Sequence, residues 1–254
     1  MDIATLDVVP RQEFVREFSH NYSQGSHVTM LGPTQRGKTT LCFELLGQVI
    51  TPDHKCVILS GKPPSRDDVM EGAAKQLNLR VIDEWPPTYS IRDRKRNGYV
   101  LRPHQTMKDL EADEVNIRKQ FKAAMMANYA SKKPVITVCD EAFQVQNNLK
   151  LRDEYEAPLM RGAPINAQWS LLQRGRFSSY LAYDAPDHIF IAMDPDVSNQ
   201  KRYSEIGGVD PKLVATIVSE LRTKTVKTKK GGRTISEFLY INRSGPEMCI
   251  VSMD

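Results

Sequence analysis

Eight consecutive residues, Gly32-Pro33-Thr34-Gln35-Arg36-Gly37-Lys38-Thr39, fit the spacing GxxxxGK[ST] without a gap. The chemistry of such a run is phosphate binding. Its glycines let the main chain curl so that backbone N–H groups point inward at phosphate oxygens. A following helix presents its positive N-terminus to the same anion. Lys38 would reach the β- and γ-phosphates of a nucleotide, and the Thr39 hydroxyl would ligate Mg²⁺. Thr40, just inside the helix, completes the candidate nucleotide-binding set.

A second pattern supplies acids. Val135-Ile136-Thr137-Val138-Cys139 is an apolar run that ends in Asp140-Glu141. Asp140, at the end of a buried strand, would hold the Mg²⁺ shell. Glu141 is one residue on and faces the opposite way, so it would polarise the water that attacks the γ-phosphate. A glutamate beside the metal-holding acid favours hydrolysis over transfer to a small acceptor. The chain has no NKxD run, which argues against guanine and leaves ATP as the expected nucleotide. No LSGGQ stretch precedes Asp140; Leu59-Ser60-Gly61-Lys62 is only superficially similar and is misplaced for that role.

These residues need elements to hold them. The spacing predicts a strand over 27–31 and a helix from Lys38 to Ile50, either side of the phosphate loop. Strands are expected at 55–59, 79–82, 99–101, 135–139, 167–172 and 188–193, and helices at 66–77, 106–129 and 149–160. Pro158 is expected to weaken the end of the last of these. Asp210 as cap and Pro211 in the first turn open a helix to Leu221. Ser244-Gly245-Pro246 divides two closing strands, a C-terminal β-hairpin. Strands that alternate with helices predict an α/β fold, a mainly parallel sheet sandwiched by helices. We expect one domain over 1–254, with residues 1–26 as an N-terminal extension and 222–233 as a basic low-complexity loop.

Composition bounds the rest. Apolar residues make up 40% of the 254 and charged residues 26%, with a formal net charge of +4. A packed core is therefore available, and no apolar run approaches the ~20 residues that cross a bilayer. The start, MDIATLDVVPRQEF, has no basic segment followed by an apolar stretch, so neither a secretory signal nor membrane association is expected. The four cysteines form no CxxC pair and read as reduced core residues of a cytoplasmic protein. The length leaves no room for two motor domains, so a motor built from this chain needs several copies.

Trp169-Ser170-Leu171-Leu172-Gln173-Arg174 brings a strand to a polar amide about thirty residues after Asp140. Here the chain resembles the FtsK/HerA group of DNA-translocating P-loop ATPases, whose strand ends in Thr-Gln-Arg-Pro at this point. Leu replaces Thr and Gly replaces Pro, and Gln173 is kept. Asp187-His188-Ile189-Phe190-Ile191, Gly207-Gly208-Val209-Asp210-Pro211 and Phe238-Leu239-Tyr240-Ile241 are similar to later elements of the group. The resemblance implies a RecA-like fold, Mg-ATP hydrolysis, a γ-phosphate-sensing role for Gln173 and an arginine finger acting in trans. Arg161 lies near the finger's expected place; Arg152 and Arg174 compete with it. It further implies a homo-oligomeric ring, most simply a hexamer, that moves double-stranded DNA. A virus or phage genome-packaging ATPase in a host cytoplasm, recruited by a capsid or portal protein, would look like this.

Two basic stretches, 222–233 and 92–96, could line a channel and track phosphates without reading bases. The competing reading for both is a solvated loop. Trp85 reads as a loop anchor rather than an adenine stack, and Asp53-His54 as a turn. The alternative to a translocase is a non-translocating P-loop ATPase, a nucleotide kinase or an assembly factor.

Overall fold

The computed structural model describes residues 6–63, 68–161, 164–173, 177–228, 231–245 and 247–253. In chain order the first half comprises β1 (Asp7–Val9), α1 (Arg11–Asn21), β2 (Val28–Leu31), α2 (Lys38–Val49), β3 (Lys55–Leu59), α3 (Asp68–Gln76), β4 (Leu79–Ile82), β5 (Gly98–Leu101), α4 (Leu110–Tyr129) and β6 (Val135–Cys139). The second comprises α5 (Arg152–Arg161), β7 (Asn166–Leu172), α6 (Leu181–Asp184), β8 (His188–Ala192), α7 (Val197–Gln200), α8 (Pro211–Glu220), β9 (Thr223–Thr228), β10 (Gly231–Ser236), β11 (Phe238–Asn242) and β12 (Glu247–Val251).

Ten strands form one sheet in the order β1-β12-β11-β8-β2-β7-β6-β3-β5-β4. From β8 to β4 every pairing is parallel; β11 runs antiparallel to both β8 and β12. Strands β2, β6, β7 and β8 are buried along their whole length. That explains their unbroken apolar runs, since both faces of a parallel sheet are covered. On one face Leu31, Val57, Leu59 and Leu172 meet Phe121 and Met125 of α4, Tyr155 of α5 and Ile217 of α8. On the other, Met30, Ile58, Trp169 and Phe190 meet Phe14 and Phe18 of α1, Leu41 and Leu45 of α2 and Met70 of α3. The four cysteines are free and buried. No described helix is long and apolar enough to cross a membrane.

Local chemistry moves several boundaries. The helix expected from Thr106 begins at Leu110, capped by Asp109, whose side chain accepts from Ala112 N. The Asp113 carboxylate takes the N–H groups of Thr106 and Met107 and holds them in the preceding loop. The helix expected from Leu149 begins at Arg152, because a π-helical turn over Gln144–Asn148 comes first. It then runs past Pro158 to Arg161.

Two readings of organisation are corrected. The expected extension, 1–26, is part of the fold over its described residues 6–26: β1 pairs in parallel with β12, α1 packs on α2, and Arg11 Nε meets Glu44 Oε2 at 2.7 Å. Of the basic stretch 222–233, residues 229–230 lie outside the described residues, and the remainder is not a loop but most of an antiparallel hairpin, β9–β10, that stands apart from the main sheet.

His188 lies fully buried beside Phe18, Tyr22 and Tyr240, with Nδ1 2.9 Å from the Tyr240 hydroxyl. Burial pushes its imidazole down to about 4, against a weak upward pull from Asp187. The unfolded chain titrates this group near 6.5, so between those values it binds more protons than the folded one. The His188 contribution is therefore complete above pH 6.5 and is lost as pH falls toward 4. We expect a loss of about 3 kcal/mol over that window. Urea midpoints measured from pH 7 to 4 check it, and His188→Asn is expected to flatten the profile.

Candidate active site

The phosphate loop connects the C-terminal end of β2 to the N-terminus of α2. Gly32 has φ 133°, and a Cβ there would stand 2.8 Å from the Ala192 Cβ, so only glycine lets the loop leave β2 beside β8. Gly37, with φ 92°, caps α2 in the left-handed region. Lys38 is buried and folds back across the loop, its Nζ donating to the carbonyls of Gly32 and Pro33 at 2.6 Å each. Burial lowers its ammonium to about 8, while the carboxylates of Asp140, Asp194 and Glu141 pull the other way.

Strands β6 and β7 end beside this loop because both run parallel to β2, with β7 its direct neighbour. Asp140 follows β6 and is buried; its Oδ1 accepts from the Thr39 hydroxyl at 3.3 Å. Its Oδ2 is 2.8 Å from Lys62 Nζ, at the end of β3 on the other side of β6. Glu141 is half-buried and lines a cleft of about 430 Å³ with Gly61, Lys62, Gln144 and Gln173. Gln173 follows β7 and takes a 3.1 Å hydrogen bond from the Thr34 hydroxyl through Oε1. A second cleft of about 360 Å³, on Pro33, Thr34, Gln173 and Asp194, completes the mouth of the loop. The two clefts, a buried cation and two carboxylates thus converge at the C-terminal edge of the sheet, where α/β sheets bind ligands.

No family model matches the chain. A curated relative, the molybdate/tungstate import ATP-binding protein WtpC of Pyrococcus horikoshii, is 28% identical over 109 residues, 43% of this chain. That match spans 26% of the relative's length. The DNA-packaging ATPase from Sulfolobus turreted icosahedral virus superposes with a TM-score of 0.58 at 13% identity, covering 91% of this chain and 98% of that one. The genome-packaging NTPase of Sulfolobus turreted icosahedral virus 2, in complex with AMPPCP, gives 0.53 at 12% identity and the same coverage. This is a RecA-like P-loop NTPase fold. The packaging likeness read from the sequence is met at the level of the fold.

Within this P-loop NTPase fold, the residues expected to act together do meet: Lys38 and Thr39 from the loop, Asp140 and Glu141 after β6, and Gln173 after β7. Arg161 does not join them. It is the exposed last residue of α5, which runs from the acidic end of β6 back to the start of β7, so it lies at the sheet edge away from its own loop. Arg152, at the other end of α5, is paired with Glu156 at 2.8 Å. Arg174 lies outside the described residues. Trp85 is at the far edge as well: its N–H is held by Gln120 Oε1 and its ring meets Tyr99 edge-on. Asp53-His54 forms a turn closed by Thr51–His54 backbone bonds.

Sequence reasoning missed two charged groups. Lys62 was passed over as part of a false LSGGQ likeness; its signal was a lysine just beyond a buried strand. Asp194, buried just past β8, accepts from Asp196 N and from Asn199 Nδ2 at 2.9 Å each and adds negative charge near Lys38. It shows in the sequence as an acid that stops an apolar strand, the same signal that marks Asp140.

Proposed function

We propose that the chain is a subunit of an ATP-hydrolysing ring motor that moves double-stranded DNA, in the manner of viral genome-packaging ATPases. One observation carries this reading. The phosphate loop after β2, the acidic pair after β6 and Gln173 after β7 meet at one edge of a fold shared over 91% of the chain with a DNA-packaging ATPase.

In this reading the loop's backbone N–H groups, Lys38, Thr39 and Thr40 hold the triphosphate of ATP. Lys38 exchanges its Gly32 and Pro33 carbonyls for phosphate oxygens. The Thr39 hydroxyl and the Asp140 carboxylate are hard oxygen donors of the kind Mg²⁺ takes, and the Lys62 ammonium already at Asp140 marks that carboxylate as a cation site. Thr39 and Asp140 would hold Mg²⁺, which would supply charge neutralisation to the triphosphate. Glu141 accepts a proton from the attacking water as the water oxygen bonds to the γ-phosphorus. The bond from that phosphorus to the bridging oxygen breaks, and ADP leaves with the electron pair. Gln173, held by Thr34, reports whether the γ-phosphate is present. The exposure of Arg161 away from its own loop supports its service to a neighbouring subunit, where a cation offsets transition-state charge. A homohexamer satisfies that arrangement, with a capsid or portal protein as the recruiting partner.

The test is ATP turnover with and without duplex DNA, with the assembly mass measured in ATP. We expect DNA to stimulate hydrolysis severalfold and ATP to favour a hexamer. Turnover indifferent to DNA, or phosphoryl transfer to a small acceptor in its place, would overturn the translocase reading.

A further inference from the structure

The two basic stretches have different fates in the fold. Residues 92–96 precede β5, at the edge opposite the phosphate loop. There Arg94 Nε donates to the Tyr89 hydroxyl, and Arg96 is tied to the Leu79 carbonyl and lies 3.9 Å from the buried Asp93. The hairpin β9–β10 leads into β11, and Phe238 at the start of β11 pairs with Ala192 at the end of β8. Because β11 is antiparallel, the hairpin leaves from the same edge as the phosphate loop.

Its composition suits a phosphate surface. Six cations and no acid fall between Arg222 and Arg233. Arg222, Lys224 and Lys227 are exposed. Thr225 and Thr234 face each other across the ribbon, as do Lys224 and Ile235. An isolated two-stranded ribbon is marginal in water, so its root decides its order. The buried Glu237 carboxylate accepts from both the backbone N–H and Nε of Arg222 at 2.8 Å. Ser236 is also buried. Its Oγ accepts from Met193 N at 3.0 Å, and its N–H donates to the Arg36 carbonyl at 3.3 Å.

That last bond is decisive. The Arg36 carbonyl and the Gly37 N–H belong to one planar trans peptide, so they point in opposite directions. With the carbonyl turned out to the hairpin root, the Gly37 N–H is turned away from that root. Any rotation of this peptide on phosphate binding moves the Ser236 contact with it.

We infer that the β9–β10 hairpin is the surface that grips duplex DNA by its phosphates, and that the Ser236–Arg36 bond links the grip to the nucleotide site. The inference rests on the DNA reading above and deepens it. A two-stranded ribbon fits the width of a DNA major groove, and lysines and threonines serve phosphates without reading sequence.

The experiment compares the full-length protein with Lys224→Ala/Lys227→Ala and with the Lys→Arg pair at the same positions. Duplex binding is measured against salt, and hydrolysis without DNA monitors folding. We expect unchanged DNA-free hydrolysis and a slope of log affinity against log salt shallower by about 1.8 in the alanine pair, restored by arginine. We also expect AMPPCP with Mg²⁺ to alter hydrogen exchange at the Ser236 amide without DNA. A wild type that binds DNA while the alanine pair keeps the same slope overturns the hairpin assignment alone. Unaltered Ser236 exchange overturns the link. A wild type that does not bind DNA removes the translocase reading and the inference together.

Discussion

Glu141→Gln is expected to bind ATP as tightly as the parent chain and to hydrolyse it about 10²–10⁴-fold more slowly. The amide keeps the size and polarity of the side chain in the cleft it shares with Lys62, Gln144 and Gln173. What it loses is the ability to accept a proton from water. The buried Asp140 and its contacts to Thr39 and Lys62 are untouched, so binding and assembly persist. Calorimetric titration beside single-turnover hydrolysis separates the two quantities. Full turnover in this variant would remove Glu141 from the chemistry and make Asp140 the acid to test next.

Lys38→Ala is expected to act on binding as well as rate. Its ammonium is buried and, among the described residues, donates to the Gly32 and Pro33 carbonyls of the loop. Losing a charge-assisted partner for phosphate costs about 3 kcal/mol, or roughly two powers of ten in Kd. The same residue sets a pH dependence. Burial holds the free ammonium down to about 8, and a bound triphosphate favours its charged form. Binding therefore takes up a proton above that value. Affinity is expected to stay level from pH 7 to 8 and then to fall about tenfold per pH unit. Lys38→Arg keeps its charge throughout and loses the fall, so Kd against pH for the two proteins checks the assignment.

The parts of the site legible in the sequence are those written in short, local patterns. The phosphate loop is eight adjacent residues between an apolar run and a helical one, and Asp140-Glu141 sits where a buried strand stops. Gln173 could be read because its strand ends in a polar amide. Long-range pairing carried the rest. Lys62 acquires its partner only because β3 lies beside β6. The stretch 1–26 reads as an extension until β1, Asp7–Val9, is seen to pair with β12 at the sheet edge. The hairpin was hidden by its charge. Its lysines read as a solvated loop, although β-branched residues at Thr223, Thr225 and Val226, and again at Thr234 and Ile235, favour strands. Its register could not be read in advance, since neither face is buried in the core to fix it.

One strand runs against the rest of the sheet, and its reversal has a mechanical result. Turning β11 around delivers the chain that precedes it to the edge that carries the phosphate loop. The ribbon inserted there can gain or lose residues in pairs while every core register stays as it is. Its reach is thus an adjustable arm on a fixed hub. In the proposed motor, residue pairs added to or removed from the ribbon would change its reach without rebuilding the nucleotide site.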